Sequence, residues 1–158
     1  MTTLADFADY LQEIRIPVRL GCRTPSGWPM VLSLWYLYED GRLYCATQES
    51  AKVVTYLKND ARCAFEVASE RPPYCGVRGQ GRAAVNAARG GEILERLLVR
   101  YLGSVDNDLA QGLLKRRDKE VALVSEPVQV FSWDFSGRMQ DVAAPVVADI
   151  CPLPPDAD

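Results

Sequence analysis

The sequence predicts a mainly β, α+β protein: a six-stranded antiparallel barrel with satellite helices. Two observations lead there. Six apolar or alternating runs read as strands, and stretches with helical spacing fall before and between them. The connections are tight turns or inserted helices, without the strict β–α alternation of a doubly wound sheet. With 158 residues, the chain is long enough for one domain with a core and short for two. The expected division is one domain over residues 1–142 and a Pro-rich, acidic tail over 143–158.

Leu4, Phe7, Ala8, Leu11 and Ile14 form one stripe of a helix from Thr3 to Ile14, with Thr3 and Asp6 as its cap and Pro17 as its stop. A strand follows from Val18 to Thr24, then a Pro25-Ser26-Gly27 turn. The run PMVLSLWYLY from Pro29 to Tyr38 is almost wholly apolar, so the strand it predicts needs cover on both faces. Asp40-Gly41 predicts a hairpin to a strand over Arg42 to Thr47. Gln48 to Asn59 is helical, and Arg62 to Ala68 alternates as a half-buried strand. Pro72-Pro73 breaks the chain before a strand from Val77 to Val85. Ile93 to Leu102 is an amphipathic helix closed by Gly103, and Asn107 to Lys115 is another. The last strand, Val121 to Trp133, contains Pro127, which marks an edge or a bulge.

The net charge of −3 argues against nucleic acid as the main partner. No stretch reaches the about 18 apolar residues needed to span a bilayer. The first residues carry acids and no basic region, so a secretory signal is not expected and the location is expected to be cytoplasmic. Five cysteines (Cys22, Cys45, Cys63, Cys75, Cys151) show no CxxC spacing. All five are expected to be reduced, with Cys22, Cys45 and Cys63 buried. The chain has no histidine. That removes Ser-His and Cys-His nucleophile pairs and the usual general base near neutral pH. It also weakens any metal site. Chemistry would fall to carboxylates, Tyr, Lys and Arg, or to a cofactor.

GQGRAA (Gly79 to Ala84) matches the dinucleotide fingerprint G-x-G-x-x-G/A, but its context is wrong. Pro72-Pro73 leaves little room for a preceding strand, Gly90-Gly91 comes too early for a crossover helix, and Arg100 stands where an acid should hold a ribose. The segment reads instead as a strand with Val77, Gly79, Gly81, Ala83 and Val85 on one face and Arg78, Gln80 and Arg82 on the other. CATQESAKVVTYLKND carries a sharper signal. A strand ends at Thr47 and a helix begins with Ser50 as expected N-cap and Lys52 in its first turn. Free N–H groups at a helix start attract an anion, and a lysine there is unfavourable for the helix alone. The alternative is a plain cap with a solvated lysine.

The order of VRLGCRTPSGWPMVLSLWYLYEDGRLYCAT, ESAK, DARCAFEVASERPPY, VRGQGRAAV and VQVFSWDFS resembles the pyridoxamine 5′-phosphate oxidase-like family over roughly Ile16 to Ser136. The resemblance implies a Greek-key split β-barrel that binds FMN or the deazaflavin F420 in a cleft shared by two subunits of a homodimer. It implies that Met30, Val31, Leu32 and Ser33 run along the ring and ribityl chain, that Ala46 and Thr47 lie beside them, and that Ser50, Ala51 and Lys52 clamp the phosphate. Ala51 stands where the family's clamp has a basic residue, so this clamp has one charge fewer. Trp133 matches an aromatic near the cleft, although a core position is the expectation for it. Tyr36, Tyr74 and Arg78 are candidates for the side facing a small-molecule substrate. The C-terminal Arg-x-His segment of true pyridoxamine phosphate oxidases is missing, so that activity is not expected. Three readings stay open: a flavin- or deazaflavin-dependent oxidoreductase, a flavin-carrying module without turnover, and a dimeric barrel without cofactor.

Overall fold

The computed structural model describes residues 1–142. The predicted Pro-rich tail, 143–158, and Cys151 lie outside the described residues. The first helix begins as a 3-10 turn, Leu4–Phe7, and continues as α1, Ala8–Glu13. The Asp6 carboxylate accepts from the Thr3 backbone N–H at 2.7 Å, as the cap reading expects. Seven strands follow: β1 Val18–Arg23, β2 Pro29–Leu34, β3 Leu37–Glu39, β4 Arg42–Gln48, β5 Arg62–Ala68, β6 Cys75–Asn86 and β7 Glu120–Asp134. The remaining helices are α2, Lys52–Asn59, between β4 and β5, and α3, Gly90–Leu102, with α4, Asp108–Leu114, between β6 and β7.

All strand pairs are antiparallel, in the order β2-β1-β5-β6-β7-β4-β3. The two edge strands of that order, β2 and β3, are consecutive in the chain and are joined only by Trp35-Tyr36. One apolar run therefore breaks at its middle and connects both edges of the sheet, which rolls the sheet into a split barrel. The six predicted strands become seven because the single strand expected over Pro29 to Tyr38 is this broken pair. Between Asp40 (φ 49°) and Gly41 (φ 74°) the β3–β4 hairpin takes the two left-handed residues that a type I′ turn requires. Opposite Pro127 the ladder slips by one residue. Gln80 faces Gln129 and Gly81 faces Pro127, so Val128 is extra and β7 bulges there.

Gly79 and Gly81 lie inside β6, not at a helix start, so the fingerprint match is a strand as expected. A Cβ on Gly79 would collide with the backbone oxygen of Gln129, and one on Gly81 with that of Glu126. Both glycines are there because β7 passes too close for any side chain.

Inward residues of the barrel, among them Leu20, Phe65, Val77, Leu123 and Val130, form one core, which the first helix and the Val53, Val54 and Leu57 face of α2 complete. Outside, α3 covers β4 and β7 through Ile93 and Leu97 against Tyr44 and Ala122, and α4 packs on α3 through Ala110. Among the described residues, the outer face of β2, β1, β5 and β6 carries no such helix, and Val31, Arg62, Ala64, Arg78 and Arg82 are exposed. Among the described residues no helix is long and apolar enough to cross a membrane.

Candidate functional site

The uncovered outer face is organised in rows by strand register. Gly21 pairs with Val31 on one side and Ala64 on the other, and Ala64 pairs with Gln80. This middle row is low, because Gly21 and Ala64 have almost no side chain to raise it. One flanking row sets Arg19 beside Glu66, Glu66 beside Arg78, and Arg78 beside Phe131. The other sets Arg62 directly opposite Arg82, with Arg23 near it on β1. The result is a groove with a small-residue floor and arginines on both sides.

Two adjoining cavities occupy the groove. The larger, about 630 Å³, is lined by Met30, Val31, Arg23, Arg62, Arg82 and Val128 around that floor, with no carboxylate in its lining. The smaller, about 390 Å³, is lined by Arg19, Glu66, Arg78 and Phe131. Both fall within the size range of small-molecule sites. Val31 is 70% exposed and Val128 68%, so the apolar part of the groove is open.

The two sides differ in charge balance. In the Arg19 row, Arg19 pairs with Glu70 at 3.1 Å, Glu66 stands between the arginines, and Arg78 lies over the Trp133 ring at 5.2 Å. In the Arg62 row, Asp60 takes two hydrogen bonds from the Arg62 guanidinium, at 2.7 and 2.9 Å, and faces Arg23 at 3.6 Å. These contacts hold the Asp60 carboxyl far below the usual carboxylate range, the Arg62 hydrogen bonds first. Arg82 has no ion pair among the described residues. Its neighbour across the ladder, Glu126, is turned to Arg42 at 3.1 Å.

The predicted cofactor residues divide between two places. Met30 and Val31 line the groove. Met30 and Leu32 also face the core, while Val31 and Ser33 face outward. Ala46 and Thr47 lie at the end of β4, paired with Ala122 and Val121 of β7. Ser50, Ala51 and Lys52 form the β4–α2 junction and, like Leu32, Ser33, Ala46 and Thr47, line neither cavity. At the junction the capping expectation shifts by one residue. Ala51, not Ser50, is the N-cap, with extended backbone (φ −64°, ψ 139°) and no side-chain hydrogen bond. Its N–H is bound to the Gln48 carbonyl at 2.9 Å, a turn that sets the helix start one residue later. Lys52 opens the helix, exposed, and no acid stands in the first turn.

Behind this junction Glu120 is buried. Its carboxylate accepts from the Gln48 side-chain amide, and Gln48 in turn accepts from Arg116 at 3.0 Å. Burial pushes the Glu120 carboxyl up, against the Gln48 hydrogen bond and the Arg116 charge.

Three further expectations are corrected. Tyr36 faces no substrate: it is fully buried, its hydroxyl donates to the Leu11 carbonyl at 2.9 Å, and burial drives its phenol far above the ordinary range. Trp133 is not a core residue. It is half-buried on the outer face, where it covers Gly76. Cys75 is disulfide-bonded, while Cys22, Cys45 and Cys63 are free and buried. The expectation of five reduced thiols therefore fails at Cys75. Spacing gave no warning, since a disulfide joins residues close in space and not in sequence. Burial raises the three free thiols, Cys45 up to about 12, so they are poor nucleophiles.

The arginine groove itself was half visible in sequence. Arg78, Gln80 and Arg82 alternate within one strand, but their meeting with Arg19, Arg23 and Arg62 depends on strand order.

The barrel belongs to a known structural class. A conserved hypothetical protein from Mycobacterium tuberculosis is similar over 94% of this chain and 93% of its own, with a TM-score of 0.71 and 21% identity. An F420 reductase is similar over 77% of this chain and 94% of its own (TM-score 0.61, 21% identity). A putative pyridoxamine 5′-phosphate oxidase from Listeria innocua is similar over 84% and 98% (TM-score 0.61, 12% identity). No family model matches the sequence, and no curated protein does. The fold is thus an antiparallel split β-barrel. It is the split barrel of the pyridoxamine 5′-phosphate oxidase-like kind, as the sequence resemblance implied.

Proposed function

We propose that the chain is a flavin-carrying redox barrel that binds FMN and acts on a small molecule as a homodimer. The observation that carries this reading is the start of α2. It has an alanine N-cap without a side-chain bond, a lysine at its first position and no acid in its first turn. Those first N–H groups and the Lys52 ammonium form a donor set that fits a phosphate monoester, with the exposed Ser50 hydroxyl beside them. Met30 and Val31 on β2 offer an apolar surface at the rim of the groove that fits a ring. In this reading Met30, Val31, Leu32 and Ser33 hold the ring and ribityl chain, Ala46 and Thr47 flank them, and Ser50, Ala51 and Lys52 hold the phosphate. A bound flavin would supply hydride transfer at its ring. The protein's part is to orient the ring, exclude water and hold the phosphate. A second copy would cover the open half of the sheet, where Val31 and Trp28 stand 70% and 74% exposed.

F420 is the second reading. It is favoured by the arginine-rich face beside β2, which suits a cofactor with a longer anionic side chain, and by the similarity to an F420 reductase.

The test is the visible spectrum of the purified protein followed by titration with FMN, F420 and riboflavin. Binding of FMN, with riboflavin much weaker, supports the first reading, and preference for F420 supports the second. A colourless protein that binds none of the three overturns both. Sedimentation as a monomer at micromolar concentration overturns the dimer.

A further inference from the structure

We propose that the arginine-flanked groove over Gly21 and Ala64 is the substrate site. Its occupant is a small molecule with a flat apolar body and one acidic group, carboxylate, phosphate or sulfonate, held by Arg82. The proposal rests on the cofactor reading only in calling the occupant a substrate. The groove stands on its own geometry.

Four observations converge. The larger cavity is about 630 Å³ and holds three arginines with no carboxylate in its lining. Arg62 and Arg82 are direct cross-strand neighbours, an arrangement of like charges that is unfavourable unless an anion lies between or beside them. Asp60 answers Arg62 and Arg23 from one side, and the carboxylate that could answer Arg82, Glu126, is bound to Arg42. Apolar surface adjoins the free guanidinium: Val31 and Val128 are exposed at the rim, and Gly21 and Ala64 leave room above the floor. Guanidinium groups bind planar acids through paired N–H donors, which gives this side of the groove its selectivity.

The two sides also predict an orientation. The Arg19 row is nearly neutralised by Glu66 and Glu70, so the acid lies toward Arg82 and the apolar body extends toward Phe131. A second copy of the chain is a poorer sole occupant. A twofold contact sets a patch against itself, and here that would press arginine rows on one another.

The probes are 8-anilino-1-naphthalenesulfonate and N-phenyl-1-naphthylamine, which share an aromatic body and differ in the sulfonate. Fluorescence titrations use the full chain as wild type, Arg82→Gln, Arg82→Lys and, as a control away from the groove, Lys115→Gln, an exposed cation past the end of α4. A charge-assisted hydrogen bond of ordinary strength predicts that wild type prefers the sulfonate by about tenfold or more. Arg82→Gln should remove that preference and leave N-phenyl-1-naphthylamine unchanged, Arg82→Lys should keep part of it, and Lys115→Gln should keep all of it. Thermal melts of each variant establish that a loss is not unfolding. Equal affinity for the two probes, no binding of either, or a loss shared by Lys115→Gln overturns the proposal. So does a change in dimerisation by Arg82→Gln without a change in sulfonate affinity, which would give the groove to a second copy. FMN titration of the same variants separates the two readings. Arg82-dependent sulfonate binding by a protein that binds no flavin overturns the cofactor reading and leaves the groove standing. FMN binding with no Arg82 effect does the reverse.

Discussion

Helices α2 and α4 face the same problem at their starts and solve it differently. Each is short, eight and seven residues, and each follows a residue in extended conformation. At α4 the Asn107 side chain accepts from the Ala110 N–H at 2.9 Å, and Asp108 supplies an acid in the first turn. Every element of a self-sufficient start is present. At α2 the cap is an alanine, no side chain accepts from the first N–H groups, and the first residue is a lysine. One start is completed by its own sequence, and the other is left for water or for an anion. A short helix with a cationic, uncapped start is less stable than a capped one, a bound anion would offset that cost, and the proposed phosphate site rests on this contrast.

The contrast can be broken most sharply by giving α2 what α4 has. Ala51→Asp supplies a capping carboxylate and should stabilise the apoprotein by about 0.5–1 kcal/mol. The same carboxylate would stand where the phosphate is proposed to lie. FMN affinity should fall by about a hundredfold or more, because like charges in contact cost several kcal/mol. A melt of the apoprotein and a flavin titration read the two effects, which should have opposite signs. A loss of both would mean that the junction is merely structural. Next in size is Lys52→Ala. Losing one charge-assisted bond should weaken FMN roughly 10- to 150-fold, leave riboflavin nearly unaffected and change folding by no more than about 0.5 kcal/mol. Equal losses for FMN and riboflavin would exclude Lys52 as the phosphate ligand.

How much of this was legible in the sequence depends on how local the cause is. The Asp40-Gly41 turn, the Gly103 helix end and the Pro127 bulge were readable because each is dictated by the backbone of one or two residues. The break at Trp35-Tyr36 was not, because a run that is apolar on both faces has no period to show where it bends. Ser50 and Ala51 differ by one position, and the decision rests on a backbone turn from Gln48 that residue preference does not encode. The structure reverses the expectations for Trp133 and Tyr36: Tyr36 is inside and Trp133 is half-buried on the outer face. Aromatic side chains suit either face, and strand order decides which is covered. The arginine groove is the extreme case. It draws on five strands, β2, β1, β5, β6 and β7, that are neighbours only after the sheet has formed.

The self-sufficient helix supplies the converse test. Asn107→Ala removes the α4 cap and should cost about 0.5–2 kcal/mol of stability, with FMN affinity unchanged. Chemical denaturation of wild type and variant measures the first, and flavin titration the second. If Asn107→Ala weakens FMN as much as Lys52→Ala does, the two helix starts are not functionally distinct and the contrast fails.

The smallest expected effect concerns the link between the two regions. Arg116, just past the end of α4, donates to Gln48, and Gln48 donates to the buried Glu120 beside the β4–α2 junction. Lys119 and Glu49 form an exposed pair at 3.6 Å nearby, and the Glu49 N–H binds the Lys119 carbonyl at 2.8 Å. Burial raises the Glu120 carboxyl above its ordinary value of about 4.3, more than Gln48 and Arg116 lower it. The folded state therefore holds this proton at pH values where the unfolded chain has released it. Unfolding releases a proton in that window, so stability falls as pH rises from the ordinary glutamate value through the higher folded one, and levels off above it. Glu120→Gln removes the titration while keeping an acceptor for Gln48. The variant's unfolding free energy relative to wild type should rise across the same window and then stay constant. Urea unfolding of both proteins at a series of pH values measures this, and parallel curves would show that Glu120 does not titrate differently on folding. Measured alongside, FMN affinity should follow the same pH window only if the Arg116–Gln48–Glu120 chain holds the α2 start in place, which would make the open helix start depend on the region that carries the closed one.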